Sequence, residues 1–368
     1  MAGVKRVLVL NSGSSTLKWA LFESPDGAPL VEGSDRVTAR IGEPLRAILS
    51  GIGGFDAVGH RIVHGGNRFR KTTRIDEQVR KELTALVELD ALHMRLALAG
   101  IDTLRVEASG VPQFAVFDTA FHFTMPPAAG YALPFEWTER WGLRRFGFHG
   151  LSVAHAVARS AEVAGRALSR IVVCHLGSGC SVTAVQEGRS IDTTMGFTPL
   201  EGLVMATRCG SVDPGLLLHL QLRCGLSPGE LSDALVNRSG LLGVSGVSGD
   251  FREVTAAADG GSARAVLAYG QFVVAAKRAV GAMTAVLGGV DALVFTGGIG
   301  ENSPRLRAEV SSALSFAGLA LDDEANARAA PDVDVARPES RIRVLVIRAR
   351  EDLVILREVL AALEPAQA

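Results

Sequence analysis

Predominantly apolar runs alternate along the chain with stretches in which apolar residues recur at helical spacing. Runs typical of buried strands occur at residues 7–10, 17–22, 171–174, 182–185, 291–295 and 344–347. Helical spacing predicts helices over residues 76–89, 151–167, 264–287 and 353–363. Strands mixed with helices in this way predict an α/β fold. Residues 322–339 show neither pattern and are expected to form an irregular surface segment.

The strand runs come in two similar pairs. The first pair encloses Ser12-Gly13-Ser14-Ser15, the second encloses Ser178-Gly179-Cys180-Ser181, and the two strand–turn–strand units align without gaps. Similarity at half-chain distance favours two related domains over a short-period repeat, and the alternative is two unrelated hairpins. A chain of 368 residues is also long for a single core, so two domains are expected.

Three turns rich in Gly and Ser follow apolar strands, the third at residues 296–302. Backbone N–H groups in such turns form anion-binding concavities, and strand ends at the carboxyl edge of a sheet are where ligands bind. No Gly-Lys pair exists, and Gly298-x-Gly300 lacks a third glycine, which excludes a P-loop and a dinucleotide fingerprint. The three turns together predict a nucleotide-phosphate site of another kind.

Two acids stand directly after strand runs. Asp118 follows residues 114–117, and Glu351 follows residues 344–347. Carboxylates at strand ends suit Mg²⁺, which takes a few protein oxygens together with phosphates and water. The alternative for each acid is a helix cap or a surface position.

Two arginines lie among apolar neighbours. Arg61 and Arg208 each need a partner, and a bidentate anion such as a transferring phosphoryl group is the natural one. The alternative is an Arg–carboxylate pair within the fold. His149 and His175 offer further donors, whereas five other histidines are expected to be satisfied core residues: His60, His64, His122, His155 and His219.

Composition narrows the class of protein. Hydrophobic residues make up 48% and the formal net charge is −1, which argues against a disordered chain and against a dedicated nucleic-acid binder. The 4 cysteines have no zinc-ligand spacing, so free thiols in a reducing compartment are expected. With neither a cleavable leader nor a bilayer-length apolar stretch in view, we expect a cytoplasmic globular protein that binds no membrane.

Motif blocks from one end of the chain to the other resemble the acetate and propionate kinase family. The blocks, in the family's order, are residues 10–15, 59–66, 117–122, 148–150, 175–177, 192–202, 207–208, 240–243, 250–252, 295–302 and 351–353. The resemblance implies the actin-like fold of sugar kinases and Hsp70, with two ribonuclease-H-like domains around a nucleotide cleft. The implied domains are residues 1–119 with 352–368, and residues 120–351.

The same resemblance implies an activity and its cofactors. The expected reaction is ATP-dependent phosphorylation of acetate to acetyl phosphate by direct in-line transfer, with Mg²⁺, in a homodimer. The small carboxylate and ATP or ADP would be the ligands. A propionate, butyrate or other short-chain carboxylate kinase is the nearest alternative, a pyrophosphate-using relative a further one, and a non-catalytic nucleotide-binding protein of the same fold the last.

Roles follow position by position from the resemblance. The implied catalytic residues are Asp118, Arg61, Arg208, His149, His175 and Asn11. The implied metal site is Asn11, Asp118 and Glu351. The implied nucleotide contacts are Ser14, Thr16, Lys18, Gly177, Ser178, Gly179, Asp250, Phe251, Arg252, Gly298, Gly300 and Asn302. The implied acyl pocket is Arg61, Val63, Leu92, His93, Phe148 and Pro199.

Several positions depart from the family pattern. Met94-Arg95 replaces Asn-Pro after the pocket histidine, Ser178 replaces an Asn in the second phosphate turn, and Ser211 replaces an Asp. The chain is also shorter before Arg61. Because Arg95 could meet a second anionic group and Met94 could reshape an apolar wall, we hypothesise an acid other than acetate as the preferred substrate.

Overall fold

A computed structural model describes residues 5–13, 16–24, 27–36 and 41–364 of the chain. Their packing forms two compact units. The first unit comprises the described residues of Met1–Phe123, Phe148–His155 and Arg350–Ala368, and the second comprises Thr124–Gly147 and Ala156–Ala349. The domain limits at 119/120 and 351/352 stay a prediction, because compact packing does not define what folds independently.

A mixed six-stranded sheet forms the centre of the first unit. Its strands are β1 (Val7–Ser12), β2 (Thr16–Phe22), β3 (Val31–Arg36), β4 (Ala57–Ile62), β5 (Thr73–Arg74) and β6 (Gln113–Phe117). They lie in the order β3-β2-β1-β4-β6-β5. The pairs β1–β4 and β4–β6 are parallel and the other pairs are antiparallel.

The second unit contains another six-stranded sheet. Its strands are β7 (Arg170–Leu176), β8 (Cys180–Gln186), β9 (Arg189–Thr193), β10 (Ala292–Thr296), β11 (Val333–Asp334) and β12 (Arg343–Val346). They lie in the order β11-β12-β10-β7-β8-β9. Here β7–β10 and β10–β12 are parallel and the other pairs are antiparallel.

The two sheets share one topology. Read from the β9 edge, the second sheet repeats the order and the strand directions of the first, with each strand number raised by six. A side-chain contact repeats as well: Arg6 N donates to Asp56 Oδ2 at 2.7 Å, and Arg170 N donates to Asp291 Oδ2 at 2.8 Å. The predicted internal repeat is therefore confirmed.

The turns inside the repeat differ in length. The β1–β2 ladder ends at Ser12↔Leu17 and the β7–β8 ladder ends at Leu176↔Cys180. Four residues separate the last pair in the first turn and three in the second. The predicted gapless alignment of Ser12 with Ser178 is therefore wrong, and the ladders align Ser12 with Leu176.

Helices cover the sheets. They are α1 (Gly42–Gly51), α2 (Glu77–Ala85), α3 (Ala91–Glu107), α4 (Phe135–Trp141), α5 (Gly150–Ala164), α6 (Pro214–Leu222), α7 (Pro228–Asn237), α8 (Gly240–Ser245), α9 (Phe251–Asp259), α10 (Ala263–Val286), α11 (Gly297–Asn302), α12 (Pro304–Ser311), α13 (Asp323–Ala327) and α14 (Glu351–Leu363). Short 3₁₀ segments lie at Leu86–Leu89, Ala120–Thr124, Pro127–Ala129 and Ser312–Ala317. Within the described part of the chain, no helix combines the length and the apolarity needed to span a bilayer.

Alternation along β1 explains why its first four residues are all apolar. Leu8 and Leu10 pack with Leu45 of α1 and Leu104 of α3, whereas Val7 and Val9 pack in the cluster that contains α14. Successive side chains of a strand point to opposite faces, so a strand covered on both faces has no polar position. This burial fixes the carboxyl end of β1, where Asn11 lies.

Two expectations about local structure are wrong. The segment 322–339 is not irregular, because it contains α13 and the strand β11, whose Val333 pairs with Val346 of β12. The third glycine-rich turn is in fact the short helix α11, which starts directly after β10. Gly297 begins it with a φ of 80°, a left-handed conformation that favours glycine.

Candidate active site

Neighbouring parallel strands bring three predicted site residues to one edge of the first sheet. Asn11 lies near the end of β1, Arg61 near the end of β4, and Asp118 directly after β6. The parallel ladder continues to this edge, since Asp118 N donates to Ile62 O at 3.0 Å. Glu351 joins them as the first residue of α14. Four elements distant in sequence thus supply one polar cluster, Asn11–Arg61–Asp118–Glu351, which we call the strand-end cluster.

A buried ion pair forms the core of the strand-end cluster. Arg61 Nη2 donates to Asp118 Oδ2 at 2.5 Å, and Arg61 Nε lies 3.1 and 3.0 Å from the two carboxylate oxygens. The Asp118 side chain is only 1% exposed and that of Arg61 13%. The alternative stated for Arg61, a carboxylate pair within the fold, is thus present. This fork fixes the plane of the guanidinium.

The remaining guanidinium nitrogen reaches the other members of the cluster. Arg61 Nη1 donates to Asn11 Oδ1 at 3.0 Å and lies 3.5 Å from Glu351 Oε2. Asn11 Nδ2 donates to the same Glu351 oxygen at 2.7 Å. Asn11 therefore links the arginine to the second carboxylate.

The cluster carries one cation and two acids. Burial alone would lower the pKa of Arg61, but the carboxylates of Asp118 and Glu351 raise it above its ordinary value. Burial raises the pKa of Asp118, with Glu351 adding to that effect and Arg61 opposing it. An additional cation beside the two carboxylates would lower the pKa of Asp118 again, because it would stabilise the charged form.

Beside the predicted pocket residue His93 lies Asp90, which the sequence reasoning missed, and the two form an Asp–His pair. Both carboxylate oxygens of Asp90 lie near His93 Nδ1, at 2.9 and 3.0 Å. Asp90 also caps α3, because its Oδ1 accepts from His93 N at 3.2 Å. An acid three residues before a histidine at a helix start is a readable capping signal.

The segment around His149 is fixed against Asp118. Gly150 N donates to Asp118 O at 2.9 Å, and a Cβ at Gly150 would lie 2.2 Å from that oxygen. His149 has a φ of 59° and is 9% exposed. The close approach requires glycine after the histidine, which explains the Phe148-His149-Gly150 block.

Phe148 and Val63 are buried members of the predicted acyl pocket. The Phe148 ring makes an edge contact with His64 at 5.4 Å between centroids, and Phe148 O lies 2.9 Å from His122 Nε2. Burial lowers the pKa of His122 to about 4, so the ring is neutral and Nε2 donates to this carbonyl.

The second phosphate turn is closed by its own backbone. Gly177 N donates to Gly179 O at 3.0 Å, and Ser178 O accepts from Ala206 N at 3.2 Å. His175 precedes the turn within β7. The turn thus lies beside the segment that carries Arg208.

Arg208 is held by the loop that contains Pro199. Arg208 Nη1 donates to Pro199 O at 2.6 Å. Glu201 in the same loop accepts from Tyr131 Oη at 2.5 Å and from Arg145 Nη2 at 2.9 Å. These contacts tie the loop to Tyr131, Arg145 and Arg208.

The predicted adenosine residues divide into surface and core positions. Asp250 caps α9 and pairs with Arg252 at 2.6 Å, and the Arg252 side chain is 88% exposed. The Phe251 ring instead packs on Tyr269 and Phe272 in the interior.

Helix α11 holds the other predicted adenosine residues. A Cβ at Gly298 would meet no described atom within 4 Å, whereas one at Gly300 would contact Phe295. Asn302 Nδ2 donates to Gly298 O at 2.9 Å. The backbone at Gly298 is therefore open, whereas Gly300 packs on β10.

Two polar residues that the sequence reasoning missed hold α11 in place. Glu301 Oε1 accepts from Gly297 N at 3.0 Å and from Ala349 N at 2.9 Å. Arg307 is 1% exposed and donates to the carbonyls of Gly300 and Glu301 at 3.0 and 2.8 Å. Its remaining donors reach Asn326, at 2.7 Å each.

The remaining predicted residues lie outside the described part of the chain, on β2, or among the histidines expected in the core. Ser14 and the side chain of Leu92 lie outside the described residues. Thr16 and Lys18 lie on β2, where Lys18 is exposed and pairs with Asn11 across the ladder. The expectation that His219 is a core residue is wrong, because it lies exposed on α6, whereas the other four histidines of that group are buried: His60, His64, His122 and His155.

The structure shows where the two residues that depart from the family pattern after His93, Met94 and Arg95, lie. Met94 is fully buried and packs with Ile62, Phe69 and Phe117. Arg95 is exposed. Met94 therefore belongs to the core beneath the site.

Comparison with known proteins identifies the class. The acetokinase family model matches residues 43–357. An acetate kinase of Trichormus variabilis is 43% identical, with 96% of this chain and 98% of that protein covered. An acetate kinase structure from Porphyromonas gingivalis superposes with a TM-score of 0.90 at 35% identity, covering 98% of this chain and 100% of the other. A propionate kinase structure from Francisella tularensis gives a TM-score of 0.88 at 34% identity, covering 96% and 98%.

These similarities and the repeated sheet confirm the predicted α/β, actin-like kinase fold with two related halves. The chain belongs to the acetokinase family.

Proposed function

We propose that this protein transfers the γ-phosphoryl group of ATP to acetate, forming acetyl phosphate and ADP. The observation that carries the proposal is the strand-end cluster, in which a buried guanidinium lies between two carboxylates and an amide. Its residues are those that the family resemblance assigns to catalysis and to the metal site, Glu351 to the metal site alone. A purely structural ion pair would need neither Glu351 nor Asn11.

Phosphoryl transfer to a carboxylate requires positive charge in the site and correct alignment of the two reactants. The acceptor carboxylate is already an anion, so its oxygen can attack the γ-phosphorus without losing a proton. The bond to the β,γ-bridging oxygen breaks as the new P–O bond forms, and ADP leaves. Catalysis then depends on bringing two anions into line.

The guanidinium of Arg61 is fixed in position before an anion binds. Asp118 fixes its fork and Asn11 fixes its Nη1, so little reorganisation is needed when an anion binds. We assign Arg61 and Arg208 to the equatorial phosphoryl oxygens, and His149 and His175 to further hydrogen bonds with them. The reverse reaction uses the same groups.

Asp118 and Glu351 fit a Mg²⁺ ion. The strand-end cluster has two carboxylates and one guanidinium, and hard carboxylate oxygens are the donors that Mg²⁺ prefers. Asn11 uses both ends of its amide on Arg61 and Glu351, so we assign it to orienting the metal ligands. When bound, Mg²⁺ would neutralise charge on the nucleotide phosphates.

A propionate or butyrate kinase is the second candidate, supported by the similarity to a propionate kinase. One methylene is worth only about 1–3 kcal/mol in an apolar pocket, so selectivity among these acids is modest. An acid panel in a hydroxamate assay, with ATP and pyrophosphate as separate donors, distinguishes them. Acetate and ATP should give the highest kcat/KM. Tight ATP binding without transfer to any acid would overturn the proposal and favour a non-catalytic protein.

We also propose a homodimer that uses α6. This helix carries Leu216, Leu218 and Leu222 at 48%, 56% and 78% exposure, and none of its residues is buried. Light scattering should give twice the chain mass for the wild type and for Val106→Glu on the first unit. Leu218→Glu should give the monomer mass, and an unchanged mass would contradict this use of α6.

We assign the protein to the cytoplasm, because it would use ATP and its four cysteines are free thiols.

A further inference from the structure

Asp90 and His93 form a pair of defined protonation. Nδ1 of His93 lies 2.9 and 3.0 Å from the two oxygens of the Asp90 carboxylate. A carboxylate only accepts hydrogen bonds, so the ring proton must lie on Nδ1. The contact therefore sets both the tautomer and the rotation of the imidazole.

The other ring nitrogen is left for a ligand. Among the described residues, Nε2 of His93 has no hydrogen-bond partner, and the side chain is 18% exposed. The Asp90 side chain, at 7% exposure, is more deeply buried than the ring it holds. An acid behind a partly open histidine is the arrangement by which proteins orient an imidazole toward a substrate.

The pair lies within electrostatic reach of the strand-end cluster. The charge of Asp90 contributes to the raised pKa of Arg61, and that of His93 acts to lower the pKa of Asp118. Both members of the pair thus interact electrostatically with the groups assigned to phosphoryl transfer.

We propose that Asp90 is a positioning residue, which holds His93 by its Nδ1–H so that Nε2 binds the carboxylate acceptor. The inference rests on the proposed carboxylate kinase function and deepens it. With Nδ1–H held by Asp90, the neutral ring offers only a lone pair at Nε2, so the form that binds the anionic acid is the imidazolium. This form donates Nε2–H to the acid, and the Asp90 carboxylate balances its charge. His93 is the group that touches the acid, and Asp90 acts through it.

Three replacements separate orientation from helix capping. Asp90→Ser keeps a good N-cap for α3 but removes the contact with the ring, because Ser is as good a cap as Asp. Asp90→Asn keeps the cap and a neutral acceptor for Nδ1–H. Asp90→Ala removes both and serves as the measure of the capping contribution.

The expected results differ among the variants. Asp90→Ser should raise the acetate KM about tenfold, with the ATP KM and the thermal midpoint near those of the wild type. Asp90→Asn should restore part of the acetate affinity, because it keeps the orientation of the ring but not the charge that balances the imidazolium. His93→Ala should match Asp90→Ser, and the double variant should be no worse than either, since both remove one contact. An unchanged acetate KM in Asp90→Ser, or additive losses in the double variant, would overturn the inference.

Nitrogen-15 NMR of the histidine rings tests whether Asp90 holds His93 without depending on the proposed activity. The wild type should show His93 with its proton on Nδ1, and Asp90→Ser should lose that signature. A wild type that phosphorylates no acid would sink the proposed function. The NMR result would still decide whether Asp90 holds the ring, and a wild-type ring protonated only on Nε2 would refute it.

Discussion

Asn11 donates a hydrogen bond of 2.7 Å to Glu351, a residue 340 positions further along the chain. The contact joins the first strand of the first unit to its last helix. Because Arg61 touches both partners, the loss of either side chain should be felt at the guanidinium as well.

Glu351→Gln should weaken activation by Mg²⁺. The replacement keeps the size of the side chain and an oxygen that can accept from Asn11, but it removes the charge that attracts the cation. We expect the Mg²⁺ concentration for half-maximal rate to rise by about tenfold or more. Glu358→Gln, an exposed position on the same helix, is the matched control. Identical Mg²⁺ titrations for both variants would argue against the metal assignment.

Replacing either arginine by alanine should lower kcat far more than it raises the ATP KM. Interactions made mainly in the transition state affect kcat, and removing such an arginine costs about 10³-fold or more. Arg61→Ala also leaves Asp118 buried without its counter-charge, so thermal unfolding must accompany the kinetics. Arg208→Ala removes the bond to the Pro199 carbonyl and is the second variant for the same comparison. Near-normal kcat in either enzyme would contradict the assignment.

Arg307→Met should destabilise the protein and weaken nucleotide binding together. The change leaves the carbonyls at the end of α11 without their buried donor, which costs about 3 kcal/mol or more of unfolding free energy. Burial lowers the pKa of Arg307 to about 10, so the side chain remains charged at neutral pH. Arg328→Met, at a side chain 72% exposed, should leave urea unfolding and the ATP KM unchanged. If Arg307→Met behaved like this control, α11 would not depend on the buried guanidinium.

His60 should make the protein less stable in mild acid. Burial lowers its pKa from 6.5 to about 4, against a smaller opposing effect of its bond to Gln113. Between those pH values the unfolded chain holds a proton that the native state does not, so stability falls as the pH decreases from 6.5 toward 4. At pH 5 the loss is about 2 kcal/mol. Urea unfolding at pH 7 and pH 5 should show a smaller difference for His60→Gln than for the wild type; equal differences would exclude this source.

Local sequence signals placed Asp118 and Glu351 after strand runs, whereas the family resemblance joined them with Asn11 and Arg61 in one site. The structure adds the reason that three of them meet, because β1, β4 and β6 are parallel neighbours whose ends lie at one edge. Buried strands are readable from composition alone. Among the strands that were not predicted, β3 lacks the signal because its residues alternate between half-buried and exposed and include no continuous apolar run.

The supporting contacts were much harder to predict. Arg307 binds main-chain carbonyls, and Glu301 binds main-chain N–H groups of Gly297 and Ala349. A side chain that bonds to backbone leaves no periodic pattern and no complementary residue in the sequence. Such contacts depend on how loops pack, which strand and helix patterns do not specify.

Because the two sheets share one strand order, each strand-end position in one has a counterpart in the other. Matching the ladders pairs Arg61 with Thr296 and Asp118 with Ala349. Thr296 Oγ1 is buried and has no hydrogen-bond partner among the described residues. One framework thus occurs twice in this chain, but the charged pair stands in only one of the two copies. The side chains at a few strand ends, and not the strand order, therefore distinguish the chemistry of the two sheets.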